Sequence, residues 1–354
     1  LIFNEDEKDK HYEIVQEFTP DKVGVYKSIS GELDASSTVL DDPSITVDDF
    51  LEAPKYQQSY RLQLGYSDLK DLKSLKIGDT TVDLPALAAS DKYKVKTSSD
   101  ADRYEPADDQ IFYLQDTGEI IFGKDYFEQI KQKDGISVTY EKDSFKKDEL
   151  RPEHYFNCTV TDKTNPTADP IKYKKQDQSI EYEVNFNQTI RINTEASTCI
   201  TQEIDRLVDD IESAIYEVSN IESKIAVVNE KLKETGLSTD QIDALKKLNE
   251  QLDTELTLAN SILQEKFSAG ITATQQFQNN LNESIADLGA RSKRLELTLS
   301  RLESQKTELE DLKSTNEDVD MVGTIIQYKS AESIYTASLS AAGGVVKTSL
   351  LDFL

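Results

Sequence analysis

The residue types that most often carry chemistry are scarce in this sequence. It has two histidines, His11 and His154, and two cysteines, Cys158 and Cys199. Two histidines cannot form a multi-histidine metal site, and the spacing His-Glu-x-x-His of zinc peptidases is absent. Neither cysteine has a basic sequence neighbour that would activate a thiolate. We therefore predict packed or solvated histidines, buried cysteines and no enzymatic activity.

Sequence motifs for cofactors and metals are missing as well. The chain contains no Gly-x-x-x-x-Gly-Lys-Ser/Thr, no Gly-x-Gly-x-x-Gly and no Gly-x-Ser-x-Gly. The acidic stretches 5–9 and 317–320 lack the alternating oxygen ligands and the turn glycine of a calcium loop. Carboxylates are so abundant that no pair of them is informative. The prediction is no catalytic residue, no cofactor and no metal ligand.

The charge balance restricts the partners. The 354 residues include 67 acidic and 40 basic ones, which gives a net charge of −27. Such a chain is repelled by nucleic-acid phosphates and by anionic membranes. It also lacks a run of about 18 apolar residues that could cross a bilayer, and its first residues lack the basic and apolar regions of a signal peptide. We expect no nucleic-acid partner and no membrane insertion.

Short runs of alternating hydrophobicity dominate the first half and indicate strands. We predict a β-rich outer region over 1–195, within which 45–140 forms an inserted subdomain. The expected strands are 12–18, 23–29, 111–114, 119–122, 136–140, 155–161, 171–173, 180–186 and 189–192, with turns at 115–118 and 176–178. Short helices are expected at 47–51, 67–75 and 125–131.

The second half reads as long helices. Apolar residues between Ile204 and Leu232 are spaced alternately three and four apart over four heptads. We expect this helix to end at Gly236, Ser238 and Gln241 to form a capping box, and a break at 268–270. A further helix over 272–312 carries a seam of five leucines: Leu288, Leu295, Leu299, Leu302 and Leu309. Such stripes fit either packing within one domain or coiled-coil pairing, and they predict a rod domain over 196–316.

The last segment, 317–354, has a different character. It is poor in charge and rich in Ala and Ser, and we expect Ser314 or Thr315 to cap its helix. A free helix of this length is marginal in water, so we predict that neighbouring copies or partner chains order it. Its predicted assembly face comprises Tyr328, Ala331, Tyr335, Leu339, Ala342, Val346, Leu350, Leu351, Phe353 and Leu354.

Several stretches in this half resemble a known family. They are Ala-Arg-Ser-Lys-Arg-Leu-Glu-Leu at 290–297, Arg-Leu-Glu-Ser-Gln-Lys at 301–306, Asn-Glu-Asp-Val-Asp at 316–320, Tyr-Thr-Ala-Ser-Leu at 335–339 and Leu-Leu-Asp-Phe-Leu at 350–354. Together they resemble the C-terminal region of the flagellin superfamily, and most of all its hook-associated members at the hook–filament junction. The resemblance is specific from about 287 onwards and looser over 179–202, whereas 1 to about 150 resembles a variable outer domain.

The resemblance implies a structural axial protein of the bacterial flagellum. Such proteins are exported by the flagellar type III route without a cleaved signal peptide, and they assemble outside the cell. The implied partners are flagellin, the other hook-associated junction protein, copies of the chain itself and an export chaperone. The resemblance also implies that 272–312 is an inner-layer rod, that 319–354 lines the tube, and that 314–319 joins them. From the resemblance we also expect that the sequence is a fragment that lacks the family's N-terminal helical segment. Gly343 and Gly344 stand where the family continues with helix formers.

The fold class predicted from these patterns is α+β: a β-rich outer region on a long antiparallel, coiled-coil-like helical rod with an apolar C-terminal helix. A short flagellin remains open as an alternative. So does a surface adhesin with a coiled-coil stalk and a β head, since heptads support it equally. The apolar C-terminus favours the flagellar interpretation, because a stalk would need a membrane or wall anchor.

Overall fold

A computed structural model describes residues 2–176, 178–185, 187–195, 197 and 199–351, and it confirms the α+β class. The strands are β1 (Lys10–Phe18), β2 (Gly24–Ser30), β3 (Lys55–Gln63), β4 (Leu72–Ile77), β5 (Thr80–Val82), β6 (Tyr93–Lys96), β7 (Ile111–Leu114), β8 (Glu119–Phe122), β9 (Ile136–Lys142), β10 (Asn157–Asp162), β11 (Ile171–Tyr173), β12 (Glu181–Asn185) and β13 (Gln188–Arg191). The helices are α1 (Ser37–Leu40), α2 (Leu84–Ala89), α3 (Lys124–Ile130), α4 (Gln202–Lys231), α5 (Thr239–Glu317) and α6 (Met321–Leu351). Short 3-10 helices lie at Pro20–Lys22, Val47–Phe50 and Pro152–His154.

The chain divides into two compact units. Unit 1 comprises Leu1–Ile180 and Asn193–Ala286, and unit 2 comprises Glu181–Ile192 and Asp287–Leu354. The division into 1–195, 196–316 and 317–354, with an insert at 45–140, stays a prediction.

Two sheets of unit 1 share one core. The first sheet has the order β11-β10-β1-β9-β4-β5 and is antiparallel throughout. The second has the order β2-β3-β8-β7-β6, in which only β6 and β7 run parallel. Alternate side chains of both sheets are fully buried in this core, among them Tyr12, Ile14, Leu62, Tyr113, Phe122, Val138 and Tyr140. Their burial is the main stabilising contribution, about 1.5–3 kcal/mol for each large apolar side chain.

The strand predictions are confirmed with small shifts at their ends. The expected hairpin at 111–122 is β7 and β8, which pair antiparallel through the turn that contains Gly118. Phe186 and Asp177, which belong to the predicted strand 180–186 and the predicted turn 176–178, lie outside the described residues. Strands β3, β5 and β6 were not predicted, because their apolar residues are too few or too irregularly spaced to form a recognisable strand pattern.

The predicted helix at 67–75 is wrong. Leu69, Leu72 and Leu75 have helical spacing, but Leu72 and Leu75 lie in β4, which pairs with β9. The register shifts between Leu72 and Ser74, and this irregularity lets two leucines three residues apart both point into the core. The two other short helices are confirmed, 125–131 as α3 and 47–51 as a 3-10 helix.

Helices α4 and α5 form an antiparallel pair within unit 1. The apolar stripe of α4 is buried there, with Ala214, Ile221 and Val228 each at most 7% exposed. Its cluster includes Leu245, Leu248, Leu252, Ala259 and Ile262 of α5, and Ile29, Leu40, Ile45 and Phe50 of the segment that precedes β3. The apolar stripe of α4 therefore packs within one unit, which is the first of the two alternatives that its spacing left open.

The start of α5 follows the predicted capping box. The Ser238 backbone N–H donates to Gln241 Oε1 at 3.0 Å, and the Gln241 N–H donates to Ser238 Oγ at 3.2 Å. The predicted helix end at Gly236 needs correction. Helix α4 ends at Lys231, and Gly236 lies in the following connection, where its φ of +103° suits a glycine.

The predicted break at 268–270 is wrong, because α5 continues through it. Gly270 is buried, and a Cβ at this position would lie 2.9 Å from Ile211 Cδ1 of α4. The glycine therefore permits close approach of two helices and does not end one.

Gly270→Leu is accordingly expected to destabilise unit 1 by about 1–3 kcal/mol, because a large side chain would overpack the contact with Ile211. Urea unfolding followed by far-UV circular dichroism measures the effect. The matched control is Gly289→Leu in the same helix, where a Cβ meets nothing within 4 Å. There we expect a gain of up to about 1 kcal/mol from helix propensity. Equal effects at both positions would contradict the packing role of Gly270.

Candidate assembly interface

Helix α6 begins at a different cap from the predicted one. Asp320 Oδ1 accepts from the Gly323 N–H at 3.0 Å, and Asp320 O accepts from the Thr324 N–H at 2.7 Å. Ser314 and Thr315 lie inside the last turns of α5, so neither is the cap. Helix α5 continues to Glu317, so the break between the helices lies at 318–320, at the end of the joint predicted at 314–319, and residues 314–317 are helical. Gly343 and Gly344 do not interrupt α6, which continues to Leu351.

Three hydroxyl groups in the middle of α6 are turned back onto their own helix. Thr336 Oγ1 donates to Glu332 O at 2.6 Å, Ser338 Oγ to Ile334 O at 2.8 Å, and Ser340 Oγ to Thr336 O at 2.9 Å. These bonds occupy the hydroxyl protons within the helix. The small polar residues therefore add less polarity to the surface of α6 than their number suggests.

The predicted assembly residues of α6 are exposed wherever the structure describes them. Tyr335 is 68% exposed and Leu339 is 54% exposed. Tyr328, Ala331 and Ala342 are exposed as well. The side chains of Val346, Leu350 and Leu351, and the whole of Phe353 and Leu354, lie outside the described residues. Charged residues between 321 and 345 are confined to one ion pair, Lys329 with Glu332 at 2.7 Å.

The predicted leucine seam is also exposed. Leu288 is 52% exposed and Leu309 is 65% exposed, and Leu295, Leu299 and Leu302 belong to the same exposed set. The α4 stripe has the same spacing of three and four residues and is buried inside unit 1. The leucine seam in unit 2 thus has the same apolar spacing as the packed face of α4, but its side chains are exposed. Exposed apolar surface of this extent marks an interaction site.

A small hairpin contacts α5 beside this seam. Strands β12 and β13 pair antiparallel in unit 2. Arg291 Nη1 donates to the Arg191 carbonyl at 3.3 Å, and Arg301 Nη2 donates to Gln188 Oε1 at 3.4 Å. Thr298 is buried on α5. The sequence predicted the two strands but gave no signal that they would contact the helix.

A buried cluster of ion-paired residues lies in unit 1, and the sequence did not predict it. Arg61 of β3 donates to Glu119 Oε1 at 2.7 Å and to both carboxylate oxygens of Asp210 at 2.7 and 2.6 Å. Lys266 Nζ lies 3.2 Å from Asp210 Oδ2. Burial raises the pKa of Asp210, but the hydrogen bonds and charge of Arg61, with the charge of Lys266, outweigh it and lower the pKa to about 2. These groups satisfy one another and form a structural ion cluster.

The environments of His11 and Cys158 also indicate structural roles. His11 Nδ1 lies 2.7 Å from Asp143 Oδ1, and burial is the main cause that raises the pKa of Cys158 to about 12. A thiol with that pKa is not a nucleophile at neutral pH. No group of three or more His, Cys, Asp or Glu suited to a metal ion occurs among the described residues. In the described part of the chain no helix combines the length and hydropathy needed to span a bilayer.

A comparison with known protein families matches the part of the chain that contains the exposed helix faces. Residues 271–354 match the family model of the bacterial flagellin C-terminal helical region. The matched segment contains all of the leucine seam and all of α6. None of the curated proteins and none of the solved structures gives a match. The match covers the C-terminal quarter of the chain, and it shows that this segment is similar to the C-terminal helical region of flagellins.

Proposed function

We propose that this chain is an axial structural protein of the bacterial flagellum, of the FlgL type, at the junction between hook and filament. It is exported by the type III route and acts outside the cell. Its partners are its own copies, flagellin, the other hook-associated junction protein and an export chaperone. The flagellin match over 271–354 supports flagellar assembly and self-association. The junction position rests on the sequence resemblance.

The single observation that carries the assembly mechanism is the exposure of two apolar helix faces. The leucine seam of α5 and the described part of α6 leave large apolar side chains in water. Each would contribute about 1.5–3 kcal/mol on full burial. Ordering α6 costs about 1–2 kcal/mol per residue in backbone entropy, so its helix is marginal alone. Contact with neighbouring subunits supplies the missing burial, and folding of α6 is thereby coupled to assembly.

The test replaces one residue of the proposed interface. Leu339→Asp should reduce incorporation into flagella about 100-fold or more, because an unpaired carboxylate in an apolar interface costs at least about 3 kcal/mol. Incorporation is measured by immunogold labelling of flagella from cells that express the variant in place of the parent chain. Val227→Asp is the matched control, since Val227 is similarly exposed on α4 of unit 1. Normal incorporation of Leu339→Asp would refute the interface.

The same labelling separates the alternatives. A junction protein gives one focus of label where the filament meets the hook, whereas a short flagellin labels along the filament. A surface adhesin remains on the surface of cells that cannot export flagellar proteins. Label along the filament would therefore refute the junction position while leaving the assembly mechanism intact.

A further inference from the structure

Unit 1 contains a cavity that the proposed flagellar role does not use. Its volume is about 560 Å³. It is lined by β2, by the loop between β6 and β7, and by α4 and α5, with Tyr26, Ser28, Tyr104, Ser213, Tyr216 and Asn220 among its residues. This volume falls within the range of small-molecule sites, and polar groups line it beside tyrosine rings.

The cations in the cavity wall, Lys27, Arg103, Lys224 and Lys266, already have carboxylate partners, whereas Glu212 is exposed and has no ion-pair partner in the described part of the chain. Arg103 Nη2 lies 2.8 Å from Glu217 Oε1 and 3.5 Å from Glu32 Oε1. Lys266 lies 3.2 Å from Asp210. An anionic ligand would have to displace a carboxylate from such a pair, which is costly. A cationic ligand could pair with Glu212 but would gain little there, because that carboxylate is exposed and solvated. Each carboxylate keeps acceptor sites for a neutral hydroxyl group. The wall thus favours an uncharged, hydrogen-bonding ligand.

Polar side chains on one face of α4 supply further hydrogen-bonding groups. Ser213, Glu217 and Asn220 are spaced four and three residues apart, so they project from the same side of the helix. Within the described part of the chain, no hydrogen bond is formed by the side chains of Ser28, Ser213 or Asn220. The free hydroxyls and the amide can donate and accept, as a polyhydroxyl ligand requires.

Tyr216 provides an aromatic face at the mouth of the cavity. It is 72% exposed and lies one helical turn from Ser213 and Asn220. Tyr26 cannot take this role, because Arg61 and Lys266 approach its ring to 4.2 and 4.1 Å from the centroid. An exposed tyrosine offers a large apolar surface with a polar tip and little conformational entropy to lose on binding.

We propose that this cavity binds a neutral oligosaccharide. One sugar ring stacks on Tyr216, and its hydroxyls hydrogen-bond to Ser213, Asn220 and the spare acceptor sites of the paired carboxylates. The chain would then recognise uncharged glycans through unit 1, in addition to assembling through α5 and α6.

The test uses the full chain and matched oligosaccharides in saturation-transfer NMR. The neutral set is maltotriose, mannotriose, lactose and the acetylated chitin trimer. Sialyllactose and the deacetylated chitin trimer are the acidic and basic counterparts. We expect saturation transfer to at least one neutral member, and more transfer to that member than to either charged sugar. Transfer to no neutral member, or to charged members alone, would overturn the proposal.

A substitution at Tyr216 tests where the sugar binds. Tyr216→Ala should weaken the binding of the neutral sugar about tenfold by removing the stacking face. Tyr173→Ala is the control, because Tyr173 is an exposed tyrosine of the same unit outside the cavity. Unchanged folding of both variants is checked by circular dichroism. Equal affinity of the Tyr216→Ala variant and the parent chain would overturn the assigned site.

Discussion

Arg61→Met is expected to lower the free energy of unfolding of unit 1 by about 3–5 kcal/mol. The side chain of Arg61 is 13% exposed and pairs with Glu119 and Asp210, whose side chains are 4% and 14% exposed. Methionine keeps an unbranched, apolar stem but removes the guanidinium end, with its five N–H donors and its charge. Both carboxylates would then remain buried, with Lys266 as the remaining cation at Asp210.

The loss follows from the position of Arg61 between two layers. β3 and β8 bring Arg61 beside Glu119 on one face of the second sheet, and α4 brings Asp210 to the same point. The cation also lies 4.2 Å from the centroid of the Tyr26 ring. Removing it therefore weakens the attachment of α4 to the sheet as well as the pairing within the sheet.

Urea unfolding followed by near-UV circular dichroism of the tyrosines measures this change. Lys73→Met is the matched control. Lys73 is also a strand cation, paired with Glu141 at 3.0 Å, but its side chain is 46% exposed. An exposed pair contributes about 0–1 kcal/mol. If both variants lost less than about 1 kcal/mol, the ion cluster would not be a stabilising link between α4 and the sheet.

Local patterns in the sequence were sufficient for the features that depend on neighbours along the chain. The β7–β8 hairpin follows from two apolar runs around a glycine turn. The capping box at the start of α5 follows from Ser238 and Gln241 alone. For the last segment, its low charge and the marginal stability of a free helix of that length led to the prediction that neighbouring chains order it, and that assignment stays a prediction.

Features that depend on distant residues could not be predicted in the same way. Gly270 suggested a helix end, although its role is set by Ile211 on another helix. The helical spacing of Leu72 and Leu75 concealed a strand, because the register shift that reconciles them depends on pairing with β9. Arg61, Glu119 and Asp210 meet only after β3, β8 and α4 have packed together. No sequence pattern marks that cluster.

The β7–β8 turn provides the second large expected effect. Gly118→Ala should destabilise unit 1 by about 3–4 kcal/mol, from a residue forced into the left-handed region and from a steric clash. Gly118 has a φ of +66°. A Cβ there would lie well inside van der Waals contact with the Tyr66 carbonyl oxygen.

Relief of this clash would disturb two hydrogen bonds that hold the turn. The Gly118 N–H donates to Leu114 O at 3.0 Å, and the Leu64 N–H donates to Gly118 O at 2.9 Å. The hairpin cannot shift easily, because all residues of β7 and β8 are buried. A displaced turn would therefore disturb packing on both faces of the second sheet.

Thermal and urea unfolding of Gly118→Ala and Gly24→Ala measure the difference. Gly24 begins β2, is exposed, and has nothing within 4 Å of a new Cβ. Alanine there should be neutral or stabilise by up to about 1 kcal/mol, because it restricts the unfolded chain. Similar stabilities for the two variants would mean that the turn tolerates a side chain. The close approach of Tyr66 would then not be what requires glycine at this position.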